Sequence, residues 1–273
     1  MSYILVTTVK NEEKNLNELI NSVLSQTIKP SLWLIINDGS TDNTQKIINS
    51  YAKRTCFINI FNMDNEVRDL TWRYHKIMNF GFSYAINLCR KKNISWNFIG
   101  VLDGDIIVKS NNYFQFLIEK FNENSSYGIL SGLLLSWNGE KFIMERRNKN
   151  KPTGAARLIR KETLDKINGY PLMPTADGVM LLKSELSGYK NEWFNEVIAY
   201  QTRLTSSIAN PNIFYKDRGY IFHYLGYTFL YVFLYSIIRI INKPYFYSIL
   251  TIYYFIYFKI IGEKRTNDTQ VLN

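Results

Sequence analysis

A chain of 273 residues has room for one large domain, or for one domain with an appendage, and its 46% apolar content is enough to bury a sizeable core. The formal net charge of +10 asks for an anionic partner. No nucleic-acid-binding motif accompanies that charge, and its basic residues read either as a solvated face or as a surface for a phosphate-bearing substrate or lipid head groups.

The opening MSYILVTTVKNEEK has an apolar run too short for a signal peptide, and acidic residues follow at once. It predicts a strand over Tyr3 to Thr8. Glu12 to Ser25 then places Leu16, Leu19, Ile20, Val23 and Leu24 at helical spacing. Leu32 to Ile36 is an apolar run suited to a strand buried on both faces. The NDGSTDNT that follows combines a Gly-containing turn with an N-cap-rich helix start. Cys56 to Phe61 reads as a third strand, Tyr74 to Cys89 as a helix, and Trp96 to Leu102 as a fourth strand stopping at Asp103. Strand and helix in alternation imply βαβ units in a mostly parallel sheet, whose ligands bind beyond the carboxyl ends of the strands. Further strands are expected at Tyr127 to Leu135, Arg157 to Arg160 and Trp193 to Tyr200, with a helix from Ala176 to Leu186. The two cysteines, Cys56 and Cys89, lack metal or redox spacing and read as reduced, largely buried thiols in a cytosolic setting.

The last part of the chain differs. Tyr220 to Ile238 carries no formal charge, Arg239 and Lys243 interrupt, and Pro244 to Phe258 is again uncharged. Length alone makes the first stretch a transmembrane candidate. Tyr220, Tyr224, Tyr227, Tyr231 and Tyr235 recur every three or four residues, however, and a hydroxyl-bearing helix face suits one lying at the membrane interface better. The expected division is 1–215 as catalytic domain and 216–273 as a hydrophobic, Tyr-rich helical tail that associates with a membrane.

Three carboxylate constellations stand at strand or helix ends. In IGVLDGDI, Asp103 and Asp105 follow a buried strand and suit one hard cation, Mg²⁺ or Mn²⁺, though Asp-Gly is also an ordinary tight turn. In LWLIINDGSTDNT, Asp38 follows a strand and is placed to accept hydrogen bonds from a ribose or base edge, or to make an Asx turn. In YPLMPTADGVMLLKSEL, Asp177 occupies the first helical turn, as a dipole partner or a general base.

In this order, after a strand leading into VKNEE, the set resembles the family-2 glycosyltransferases of GT-A fold over roughly Ser2 to Leu204. NDGSTD matches the family's DDGSTD, DGD its DxD, and TADGVML its ED-type base motif. The resemblance implies a mixed, mostly parallel Rossmann-like α/β sheet flanked by helices. It implies a metal-assisted, inverting transfer from a nucleotide-diphospho-sugar. By it, Thr7, Glu12 and Asp38 hold the nucleoside, with Lys76 facing the nucleotide. Asp103 lies near the sugar or ribose, Asp105 is the principal metal contact, and Asp177 is the catalytic base. Arg203 and the basic Arg146–Arg160 region would bind the diphosphate or a phosphorylated acceptor. The chain departs from the family pattern in three places: no proline ends the opening strand, Ala176 stands where a Glu is common, and Gln201 stands where many members carry a metal-binding His. Gln201 is accordingly a candidate third metal ligand, with His223 as an alternative. The tail implies a lipid-linked or surface-glycan acceptor at the cytoplasmic face of the cell membrane. A nucleotidyltransferase lacks its basic phosphate loop here. A catalytically silent membrane scaffold of the same fold is the remaining alternative.

Overall fold

The computed structural model describes residues 1–66, 71–144, 151–204, 211–241 and 246–272. In chain order its elements are β1 (Tyr3–Val9), α1 (Leu16–Leu24), β2 (Leu32–Asp38), α2 (Thr44–Ala52), β3 (Ile58–Met63), α3 (Arg73–Lys91), β4 (Phe98–Leu102) and β5 (Ile106–Val108). Then follow α4 (Tyr113–Glu123), β6 (Tyr127–Trp137), β7 (Phe142–Ile143), β8 (Ala156–Arg160), α5 (Lys161–Lys166), α6 (Ala176–Leu186) and β9 (Lys190–Gln201). Helices α7 (Pro211–Tyr224), α8 (Phe229–Ile238), α9 (Ile249–Ile260) and α10 (Thr269–Leu272) complete the chain.

Two compact units result, one of 1–172 with 176–204, the other of 173–175 with 205–273. In the first, the described strands form one sheet in the order β3-β2-β1-β4-β8-β6-β9-β5, with β7 on β6. The run β3-β2-β1-β4 is parallel throughout, as βαβ connections require. Beyond β4 the expected parallel majority fails. Only β6 with β9 is parallel there, whereas β4–β8, β6–β8, β5–β9 and β6–β7 are antiparallel. The reason is local: β5 follows β4 after a three-residue turn, so it leaves the parallel run and pairs with β9 instead.

Every residue of β2 is buried, and strand alternation divides its side chains between two layers. Trp33 and Ile35 join a core with α1, α2 and α4. Leu32, Leu34 and Ile36 join a second core with α3, α5 and α6. A sheet covered on both faces explains why the strands read as continuous apolar runs. The sequence reading passed over α4, although Phe114, Leu117, Ile118 and Phe121 repeat at helical spacing and are buried. The expected pair of buried thiols is corrected: Cys89 is buried and Cys56 is exposed, both free. Cys56 precedes β3 and so never reaches the sheet interior.

The second unit contains α7 to α10. The uncharged stretch from Tyr220 does not make one long helix. Gly226, at φ +76°, follows the end of α7, and Thr228 starts α8 by accepting a bond from the Tyr231 amide. Among the described residues no helix is long and apolar enough to cross a membrane. The tyrosine stripe is broken at the same point. Tyr227, Tyr231 and Tyr235 gather around Phe222, at ring separations of 5.0, 5.7 and 4.9 Å, while Tyr220 packs on Phe258. His223 is a packing residue here, its Nε2 meeting the Glu263 carbonyl at 2.8 Å within this unit.

Candidate active site

The ends of β1, β2 and β4 lie side by side in the parallel run, so their following turns converge, as in other open α/β sheets. The turn after β1 and the turn after β2 are tied together by their own motif residues. The Asn11 amide donates to Ser40 Oγ at 2.9 Å, and the Thr41 amide donates to Asn11 Oδ1 at 2.8 Å. The Glu12 amide donates to Thr44 Oγ1, and Glu13 accepts from the Asn43 amide, both at 2.9 Å. Gly39 takes φ +60°, and a β-carbon added there would run into the Asn65 backbone. Asn11, Glu13, Ser40, Thr41 and Thr44 are thereby used up in holding the frame. The carboxylates of Glu12 and Asp38 are left to make other contacts.

Asp38 is clamped by Arg73, from the start of α3, whose Nε lies 3.0 and 3.2 Å from the two carboxylate oxygens. Lys10 Nζ lies 3.7 Å from the same group. Arg73 also pairs with Glu66. Arg73 and Glu66, together with Lys76, Phe61, Asn62 and Phe80, line an open cleft at the end of β3. Lys76 thus faces a cleft next to Asp38, with its ammonium 5.9 Å from the Trp72 ring. Thr7 is different: it is fully buried, and its hydroxyl accepts from the Trp33 indole at 2.9 Å, so its side chain belongs to the core.

Asp103 to Asp105 form the turn that closes β4, with the Ile106 amide 3.1 Å from the Asp103 carbonyl. It is a tight turn without a hairpin, since β4 and β5 do not pair. Asp105 is buried, 3.1 Å from Arg203 Nε and 3.3 Å from Gln201 Nε2. The other end of the Arg203 guanidinium meets Glu12. Gln201 turns its carbonyl oxygen to the Ser136 hydroxyl at 3.1 Å and presents its amide nitrogen to Asp105. Among the described residues no group of three His, Cys, Asp or Glu side chains is arranged to hold a metal ion. Asp105, with Asp103 two residues before it, still offers the hard oxygens that Mg²⁺ or Mn²⁺ prefers, and such an ion commonly keeps water and phosphate oxygens in its other positions. The donor set therefore fits a cation shared with a diphosphate, and does not fit an all-protein cage.

Asp103 accepts a hydrogen bond from Tyr74 at 2.7 Å. Burial pushes its carboxyl up to about 7, the charge of Asp105 adds to the rise, and the Tyr74 bond opposes it. Asp177 lies in the first turn of α6. Its Oδ1 accepts from Arg157 Nη2 at 2.5 Å and from the Tyr170 hydroxyl at 3.4 Å. Burial, and then the nearby carboxylates, hold both phenols well above their ordinary range, so Tyr74 and Tyr170 remain donors. With the Tyr170 proton given to Asp177, His75 donates from Nδ1 to the Tyr170 oxygen at 3.1 Å. Asp103 and Asp177 belong to one electrostatic cluster, each raising the pKa of Tyr74 and Tyr170.

The site so assembled holds Glu12, Asp38, Asp103, Asp105, Asp177, Gln201 and Arg203 on named partners, with Lys76 at the adjoining cleft. Arg73, Tyr74, His75 and Tyr170 join it without having been singled out in sequence, and Arg157, expected with the basic Arg146–Arg160 region to bind phosphate, is instead fully buried and paired with Asp177. The one available signal was that Arg157 is a charge inside a strand. Of the basic region, Arg146, Arg147 and Lys149 lie outside the described residues.

Comparison with known proteins bears on the family and the fold. The chain is 31% identical over 122 residues to a poly-beta-1,6-N-acetyl-D-glucosamine synthase of Staphylococcus epidermidis. That match takes in 45% of this chain and only 26% of the synthase. Among solved structures, S. aureus TarS 1-349 in complex with UDP-GlcNAc superposes with a TM-score of 0.58 at 18% identity, over 81% of this chain and 65% of that one. Mannosyltransferase PcManGT from Pyrobaculum calidifontis, in complex with GDP-Man and Mn²⁺, gives 0.56 at 12% identity, over 93% and 69%. At such identities these likenesses speak for the fold. The family model for glycosyl transferase family 2 matches residues 4–183. The chain belongs to glycosyl transferase family 2.

Proposed function

We propose that this transferase moves a sugar from a nucleoside-diphospho-sugar to an acceptor hydroxyl by a single inverting displacement. The observation that carries the reading is Asp177. It is held by a buried arginine and a tyrosine, partly exposed, in the same electrostatic cluster as Asp103. In this role Asp177 accepts the proton of the acceptor hydroxyl as that oxygen attacks the anomeric carbon. The bond from that carbon to the diphosphate breaks on the opposite face, and the nucleoside diphosphate leaves. Arg157 and Tyr170 fix the carboxylate so that one oxygen stays available. Asp38 with Arg73, and Lys76 at the cleft, take the nucleoside end. Arg203 carries the charge suited to the diphosphate. Asp105 and Asp103 would hold Mg²⁺ or Mn²⁺, which supplies neutralisation of charge on the leaving diphosphate when bound.

UDP-N-acetylglucosamine is the donor to try first, because the curated relative is named for an N-acetylglucosamine polymer and one structural neighbour was solved with that donor. A lipid-linked or surface-glycan acceptor is favoured by the second unit. Leu230, Phe233, Leu234, Ile237, Ile238 and Ile260 stand exposed on or beside its helices, near Arg239 and Lys259. That combination suits helices lying on an anionic lipid surface at the cytoplasmic face. Co-sedimentation with phosphatidylglycerol vesicles tests it, and protein left in the supernatant would refute it.

The donor reading is tested by calorimetric titration with UDP, GDP and dTDP, with and without Mn²⁺. Release of UDP from the chosen donor is then followed in wild type and Asp177→Asn. Binding of one nucleotide, with turnover lost in the variant, supports the proposal. Folded protein that binds none of the three would leave the membrane scaffold as the better account.

A further inference from the structure

The guanidinium of Arg203 bridges two carboxylates drawn from different strand ends, Glu12 after β1 and Asp105 after β4. The side chains of Glu12 and Asp105 are 4% and 7% exposed, that of Arg203 31%. Two buried carboxylates facing one another need a positive charge between them, since isolated buried charge is strongly disfavoured. Here the charge comes from the partner that is most accessible and therefore freest to leave. Asp105 Oδ2 already accepts from Gln201 Nε2 at 3.3 Å and has the positive charge of Arg203 beside it, with Nε 3.1 Å away. A divalent ion needs that same oxygen, and the guanidinium charge already stands at ion-pair distance from it.

We propose that Arg203 is a built-in counter-ion occupying the cation position at Asp105, and that a divalent ion enters only by displacing it. The guanidinium and the ion are then mutually exclusive tenants of Asp105. Once displaced, Arg203 is released with its full charge beside the place where a diphosphate would lie. Before displacement it neutralises Glu12 and Asp105, so the resting site needs no metal to stay folded. The inference deepens the donor reading above by assigning Arg203 a second position, and it rests on that reading only for where the ion binds.

The test uses the full chain without nucleotide and Mn²⁺ alone as the probe, with the unbound ion counted from its electron paramagnetic resonance signal. Arg203→Gln is expected to take up one Mn²⁺ at least tenfold more tightly than wild type. Arg203→Lys, which keeps the charge but cannot span both carboxylates, should fall between them. Adding Asp105→Asn to Arg203→Gln should abolish the gain. Thermal melting should show the Gln variant less stable than wild type without metal and restored by Mn²⁺. Equal or weaker Mn²⁺ uptake by the Gln variant would overturn the proposal, as would no uptake by any variant. Should Arg203→Gln fail to fold by circular dichroism, the Lys variant decides: affinity no higher than wild type overturns it. Titration of the three nucleotides is read separately. Failure of UDP, GDP and dTDP alike to bind, with and without Mn²⁺, while Mn²⁺ competition is intact refutes the donor reading and leaves this one standing.

Discussion

Arg157 is fully buried on β8, and its Nη2 lies 2.5 Å from the carboxylate of Asp177, which is itself 34% exposed. A cation in the core thus anchors an anion at the surface of the site. Replacing Arg157 by Met removes the anchor while keeping much of the volume. A loss of about 2–4 kcal/mol is expected, below the full figure for a broken buried pair because water reaches Asp177. Urea denaturation of the variant measures it, and a loss under about 0.5 kcal/mol would show that the pair is incidental.

Asp177→Asn removes the proton acceptor and also the charge that offsets buried Arg157, so turnover is compared at a temperature where melting shows the variant folded. The turnover number should fall about 10²- to 10⁴-fold, the range for loss of a general base, with KM for the donor little changed. Steady-state kinetics at saturating donor separate this from a binding defect.

Gly154 offers a finer probe of the same carboxylate. A methyl group there would sit 2.5 Å from Asp177 Oδ2, so the aspartate must shift while the backbone need not. Gly154→Ala is expected to lower turnover by about tenfold or more, since displacements near 1 Å are costly in catalysis. Its melting temperature should stay close to wild type. A large drop in stability with normal turnover would place the strain elsewhere.

Asp38 is gripped through both oxygens by Arg73, on the side facing the cleft beyond β3. Asp38→Asn should weaken nucleotide binding about tenfold, on the scale of a hydrogen bond to a charged group, and leave turnover at saturation near normal. Arg73→Ala should weaken binding as well, and the double variant should fall short of the sum, because the two side chains act as one unit. Calorimetry on the four proteins gives the coupling directly.

The thiols differ in a way that pH exposes. Burial pushes Cys89 up to about 11, while Cys56 stands in solvent. A disulfide reagent at pH 8 should titrate one thiol in native protein and two in denaturant. The sign for stability follows: the folded pKa is raised, so the contribution is complete below the unfolded value near 8.5 and is lost as pH climbs toward 11. Cys89→Ala should show less alkaline destabilisation over that window than wild type.

The parallel half of the sheet was legible because each strand is a short apolar run and each helix repeats at the helical period, as Leu32 to Ile36 and Leu16 to Leu24 show. The motif carboxylates were legible because they stand where strands end. Their partners were not. Arg73 reaches Asp38 across 35 residues and Arg203 reaches Glu12 across 191, and no spacing rule links positions that only the fold brings together. Strand β5, three residues long, is too brief to show any period. In the second unit the tyrosine spacing is helical on paper, but Gly226 and Thr228 end one helix and start another within it, so composition alone misjudged the stripe.

The placement of β9 bears on how the molecule comes to be. Its last residues close the site by pairing Gln201 with Ile106, and the next arginine reaches back to the turn after β1. The second of these closures spans 191 residues, against the 95 that separate Tyr3 from Phe98 in the β1–β4 pair, and so costs the more chain entropy to form. Refolding should accordingly proceed in stages, with the β3-β2-β1-β4 layer packing around Trp33 first and the binding site last. Indole fluorescence would then recover ahead of nucleotide affinity, and a ribosome-bound chain that ends before residue 201 would own a core without yet owning a site.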